Sequence, residues 1–296
     1  MSLQQVISQV RDRVLELVDR EPENIDQQDV EMITKSSDMI KRFIHNDEDF
    51  RVDEKGRWDP HNVNIERVSR RMMRTLRWRK SFGLNQLRPT HFPEPFYESK
   101  LLTYTLINKK FTLYFRLSKF KKVSKEVSTS FTAGTVYEID RLCNKLSTEY
   151  ENGIIDLKPV IVTVMTGVGI TQLDWKVFHN TLSLVNTHFP GCCHEYWLWG
   201  IPEYLHYIIR LFNKSLPPGI TIKTRLRNLQ DTAALIGMEN IPRFLGGSCP
   251  VTPANEVPDT FASMEEYADR FHIPPADMKK VRQYFHDIVT DNEGFA

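Results

Sequence analysis

The stretch "HEYWLWGIPEYLHYIIRLFNKSL", residues 194–216, joins two different patterns back to back. Residues 195–199 are an aromatic and aliphatic run closed by Gly200 and Pro202, which suits a strand. From Tyr204 onward the apolar positions Tyr204, Leu205, Tyr207, Ile208, Ile209, Leu211, Phe212 and Leu216 fit a helix. They cover far more than the roughly 100° stripe that a surface helix buries. Two arrangements satisfy such a helix. It packs between a sheet and a neighbouring helix, or it lids a hydrophobic cavity.

The flanking segments choose the fold class. Upstream, "LLTYTLINKKFTLYFRLSKF" reads as two antiparallel strands around a turn at Asn108-Lys109-Lys110. A helical pattern follows in "TAGTVYEIDRLCNKLSTEYE", then the continuous apolar run "KPVIVTVMTG", then the helical "DWKVFHNTLSLVNTHFP". Downstream lie the strand "GITIKTRL" and the segment "DTAALIGMENIPRFLGG". Strands alternating with helices predict an α/β layer architecture on a mixed, mostly parallel sheet. Residues 1–90 read instead as a helical region, and "LRPTHFPEPF" as a linker into the α/β domain at 91–250. Residues 251–296 are expected to form a second linker and a short helical tail.

The chain has 296 residues, 41% hydrophobic and 26% charged, as in a water-soluble globular protein. No apolar run approaches the roughly 18 to 20 residues needed to span a bilayer. The opening "MSLQQVISQVRDRVLELVDRE" carries Arg11, Asp12 and Arg13 through its middle, so it is not a signal-peptide core. It reads as an amphipathic helix with Val6, Val10, Val14 and Leu17 on one side. Four cysteines without CxxC spacing are taken as reduced thiols, and the location as cytoplasmic.

Motifs for chemistry are sparse. "TGVGI" offers Gly167 and Gly169 after a strand, but the third glycine of a dinucleotide-binding turn is missing. There is no GxSxG, HExxH or phosphate-binding loop. Cys192, Cys193 and His194 are adjacent, and successive strand side chains point to opposite faces, which places them poorly around one metal ion. The sequence therefore predicts no catalytic residues, no metal, no cofactor and no enzyme.

Net charge is +1 but unevenly spread: residues 66–125 hold sixteen Lys and Arg against three Asp and Glu. Arg67, Arg70, Arg71 and Arg74 fall opposite Ile65, Val68, Met72 and Leu76 on one helix that stops at Gly83. Such a face is either solvated or docks on an anionic membrane, at about 1 kcal/mol per nearby cation. Nucleic acid is not expected, because stacking aromatics are not interleaved with the arginines.

The order of elements in 99–250, closed by "IPRFLGGSCP", resembles the CRAL-TRIO lipid-binding family. "LRWRKSFG", with Trp78, Arg79 and Lys80, resembles that family's N-terminal aromatic-Arg-Lys segment. Ile241, Pro242, Gly246 and Gly247 match its closing motif. Pro190, Pro202 and Phe212 fall in register with its stretch from a Tyr-Pro corner to a gate helix. The resemblance implies a monomeric protein that carries one lipid or other hydrophobic small molecule under a gate helix, with transient peripheral association with membranes. It assigns Tyr204, Tyr207, Ile208, Leu211 and Phe212 to the gate. Leu113, Phe115, Val162, Val164 and Leu198 become the cavity floor, and Lys223 with Arg225 the headgroup site. Departures are specific. Gly191 stands where inositol-lipid binders carry a Glu, Asp47 falls near their Arg, and Val164-Met165-Thr166-Gly167 keeps only the Gly of an Asp-Leu-x-Gly motif. A different lipid or a neutral ligand is thus equally open. The alternative is a protein-interaction module whose cavity is filled by Tyr196, Trp197, Trp199, Tyr204 and Tyr207.

Overall fold

The computed structural model describes residues 2–47, 63–107, 110–117, 124–151, 156–166, 174–192, 195–200, 222–226, 228–254 and 257–290. The chain divides into two compact units, Met1–Leu87 and Arg88–Ala296.

In the first unit, α1 (Leu3–Asp19), α2 (Gln27–Lys35), α3 (Asp38–His45) and α4 (Ile65–Phe82) share one apolar core. Ser2 and Gln5 form a reciprocal capping box that starts α1, satisfying two of its orphan N–H groups. Val6, Val10 and Val14 then turn inward against Val68, Met72 and Leu76 of α4. The side chain of Asn64 caps α4 by accepting from the Arg67 N–H, and Gly83 ends the helix in the left-handed region at φ 70°.

In the second unit the described residues form a six-stranded sheet of β1 (Leu102–Ile107), β2 (Lys110–Arg116), β3 (Asp156–Val164), β4 (Glu195–Trp199), β5 (Ile222–Leu226) and β6 (Thr252–Pro253), in the order β5-β4-β3-β2-β1-β6. β2 to β5 run parallel, and β1 is antiparallel to both of its neighbours. The mixed, mostly parallel α/β expectation therefore holds. β2 connects to β3 through α6 (Lys125–Glu151), and β3 to β4 through α7 (Trp175–His188). Short α8 (Leu229–Ile236) follows β5.

Three expectations are revised here. The proline-rich segment 88–98 is a packed part of the second unit: it contains the five-residue α5 (Glu94–Glu98), and Phe92 and Phe96 are buried. Gly134 of α6 explains how they fit, since a Cβ there would run into both rings. The C-terminal region likewise docks on this unit through α9 (Met264–Arg270) and α10 (Met278–Thr290). Tyr267 packs on Phe92, and Tyr284 meets Phe131 edge-on. The reduced-thiol expectation is also corrected. Cys143 on α6 and Cys192, in the turn after α7, form a disulfide with Cα atoms 6.4 Å apart. A crosslink between residues 49 apart leaves no local spacing signature. Cys249 is a buried free thiol.

Candidate functional site

Side chains of a strand alternate between faces, and paired residues of neighbouring strands share a face, so the register decides what lies together. One row runs Leu113–Ile161–Tyr196 and the next Phe115–Thr163–Leu198–Arg225. The intervening rows are Tyr114–Val162–Trp197–Thr224 and Arg116–Val164–Trp199–Leu226. The five residues expected to make one cavity floor are therefore divided. Leu113, Phe115 and Leu198 belong to one face of the sheet, Val162 and Val164 to the other. A one-residue change of parity in one strand is enough to cause this.

The face of Leu113 and Phe115 is covered by α6 and α7. Between them lies an apolar void of about 30 Å³, lined among others by Leu113, Phe115, Ile161 and Tyr196 from the sheet and by Leu142 and Val185 from the helices. The Cys143–Cys192 disulfide forms part of its wall. Ligand sites usually run to roughly 300–1,000 Å³, so this face is closed packing.

On the opposite face Tyr114, Val160, Val162, Val164 and Trp199 form a buried cluster with Ile241. Trp197, Phe244, Leu245 and the α8 residues Leu229, Ala233 and Ile236 pack around it. Burial raises the Tyr114 phenol above its ordinary pKa. Arg116, at the carboxyl end of β2, is buried with its guanidinium 5.6 Å from the centre of the Phe244 ring. Trp197 donates its Nε1–H to Glu195 at 3.1 Å. The closing segment holds Ile241 and Phe244 in place. Gly247 N donates to Pro242 O at 3.1 Å, and Cys249 N to Ile241 O at 2.8 Å. A Cβ on Gly247 would collide with Ile241 O, which gives the double glycine its physical reason. Sequence reading named Trp197 as a cavity filler but did not single out Tyr114, Arg116 and Phe244, because only the strand register and the packing of the closing segment bring these residues to one face.

Lys223 and Arg225 lie in β5, Arg225 in register with Leu198. The expected gate residues Tyr204, Tyr207, Ile208, Leu211 and Phe212 fall outside the described residues.

The arginine face of α4 is engaged within its own unit. Arg67 pairs with the buried Asp47, its Nε 2.9 Å from Oδ2. Arg70 Nε donates to Glu66 at 2.7 Å. Arg71 donates to Asn46 O at 3.0 Å and lies 5.8 Å from the centre of the Phe43 ring. Arg74 is exposed. Glu66, bonded first by Arg13 and then by Arg70, has its pKa lowered to about 2. The acidic N-terminal segment thus neutralises much of what the sequence presents as a basic helix. The Trp78-Arg79-Lys80 segment is structural as well. Arg79 donates to Asp29 at 2.8 Å with both side chains nearly fully buried. Desolvation nevertheless raises the Asp29 pKa, outweighing the attraction of Arg79. Lys80 Nζ donates to the carbonyls of Glu23 and Ile25 at 2.6 and 3.0 Å.

Among the described residues no cluster of His, Cys, Asp and Glu is arranged to hold a metal ion. No described helix is long and apolar enough to cross a membrane.

Comparison with known proteins agrees with this architecture. Residues 107–247 match the family described as the CRAL/TRIO domain. The crystal structure of Sfh5 has the same fold at a TM-score of 0.50 and 11% sequence identity, covering 95% of this chain and 97% of that one. No curated protein sequence matches the chain significantly.

Proposed function

We propose, from the CRAL/TRIO domain that the chain carries over residues 107–247, that it binds one lipid or other hydrophobic molecule and moves it between membranes without changing it chemically. The domain match is the observation that carries this reading. The face of the sheet bearing Tyr114, Val162 and Val164 is the apolar surface suited to it. In this reading Tyr204, Tyr207, Ile208, Leu211 and Phe212 close over that face and give up the cargo at a membrane. Burial of each CH₂ of an acyl chain contributes about 0.8 kcal/mol, so a long chain is retained without any polar contact. Arg225 shares the row of Phe115 and Leu198 on the face covered by the helices, so the headgroup role expected of Lys223 and Arg225 is not part of this reading.

Membrane contact falls on Arg74 and on the water-facing sides of Arg70 and Arg71, in part offset by Glu66. An interaction module remains the second reading, favoured by the tight filling of the Leu113 face.

Transfer of labelled lipids from donor to acceptor vesicles tests the proposal. The wild-type chain accelerates transfer of one lipid class, and Phe212→Asp abolishes it. Equal transfer by both proteins removes the gate assignment, and no transfer of any class by either favours the interaction module.

A further inference from the structure

Glu138 of α6 is only 3% exposed, and its Oε2 is buried with no hydrogen-bond partner among the described residues. A buried polar oxygen left unpaired costs roughly 1–3 kcal/mol, and more when charged, so the position calls for an explanation. Glu138 borders a cavity of about 10 Å³ together with Phe96, Tyr97, Lys100, Pro253 and Val257. The volume is about that of one water-sized probe, enough for a hydrogen-bonding guest and nothing larger.

The walls of this cavity are unequal in strength. α6 is a 27-residue helix, and β1 pairs with β2 along its whole length. The remaining wall is the arm after Val251. It is held to β1 by the two-residue strand β6, which pairs with Thr103 and Tyr104, and by the Ala254 N–H bonded to Leu102 O at 3.0 Å. Val257 beyond it is 58% exposed. Local opening starts where few buried contacts and few hydrogen bonds hold a segment, and here that is the arm.

We propose that Thr252–Ala254 is a proton-controlled clasp, seated on β1 while the Glu138 carboxyl is neutral and lifted from it when that carboxyl ionises. Lifting lets water reach the charge and at the same time uncovers the main-chain edge of β1, which then offers unpaired N–H and C=O groups. Among the residues lining the cavity, the other ionisable groups are Tyr97, whose hydroxyl is committed to Pro89 O at 2.6 Å, and Lys100, which is exposed. Tyr137 and Arg141 act on Tyr97 from α6. Burial raises the Glu138 pKa well above the ordinary carboxyl value. The sign follows: the seated state binds the proton more tightly than the open one. The clasp is therefore firmest below about pH 4.3, the value of a solvated Glu, and weakens as pH rises towards the raised value.

Amide hydrogen exchange on the full chain, wild type against Glu138→Gln, tests this. Gln is a neutral group of nearly the same shape and keeps the clasp seated at every pH. The wild-type to variant ratio of exchange at Ala254 is expected to grow with pH above about pH 4.3, by at most roughly tenfold per pH unit, while the ratio at the β3 amides stays flat. The wild-type sample gives a second readout, since Ala254 exchange must also outrun β3 exchange within it. A flat ratio at Ala254 overturns the proposal. So does an equal rise at β3, which would report unfolding of the whole unit.

Discussion

Breaking the Cys143–Cys192 bond measures how strongly α6 is tied to the turn that leads into β4. The two cysteines are 49 residues apart, both are buried, and both line the void beneath α6 and α7. Closing a loop of about 50 residues removes roughly 14 cal/mol/K from the unfolded chain, or about 4 kcal/mol at 25 °C. Strain in the folded state subtracts from that figure, so it is an upper value. Denaturant unfolding of the second unit, with and without reductant, supplies the assay. The expected result is a fall of up to about 4 kcal/mol on reduction, reproduced by Cys143→Ser, with Cys193→Ser leaving the reductant effect intact. Alkylation in denaturant without reductant must leave Cys143 and Cys192 unlabelled. Labelling of both in protein never exposed to reductant refutes the crosslink. Protection of both with no change in stability on reduction refutes the entropic argument.

Further substitutions separate structural from docking roles. Arg79→Ala leaves the buried Asp29 carboxylate unpaired and should destabilise the first unit by about 3–5 kcal/mol in thermal or denaturant unfolding; a loss below about 1 kcal/mol contradicts the buried-pair account. Ser130→Ala removes the 2.7 Å partner of the buried Tyr267 hydroxyl, with an expected cost of roughly 1–3 kcal/mol. An unchanged midpoint would mean that the C-terminal helices are not seated through this bond. Arg67→Glu faces the buried Asp47 with a like charge and should lower stability. Arg74→Glu should leave stability unchanged and weaken binding to anionic vesicles, most visibly at low salt. Vesicle binding that ignores Arg74→Glu marks that side chain as merely solvated.

The alternation of apolar runs with helical patterns carried the α/β class, and Gly83 ended α4 where the structure has it. Register was not legible. β3 reads as an unbroken apolar run because both of its faces are buried, so nothing in "KPVIVTV" says which parity faces α6. That is why Val162 and Val164 part company with Leu113 and Phe115. The basic face misled for a related reason. Its neutralising carboxylates, Asp47, Glu21 and Asp29, come from segments earlier in the chain and meet Arg67, Arg77 and Arg79 of α4 only in three dimensions. The C-terminal region read as a tail because Tyr267, Tyr284 and Phe285 are spread over two short helices. Their burial depends on Phe92 and Phe131, far away in sequence. The glycines of "IPRFLGGSCP" were visible, but the reason for Gly247, the backbone of Ile241, was not.

Mild-ionisation mass spectrometry of the full chain, after incubation with a cell lipid extract, tests the central claim most directly. The account predicts one stoichiometric mass increment, lost on denaturation and assignable to a single lipid class. A bare polypeptide mass across a broad lipid mixture would contradict it.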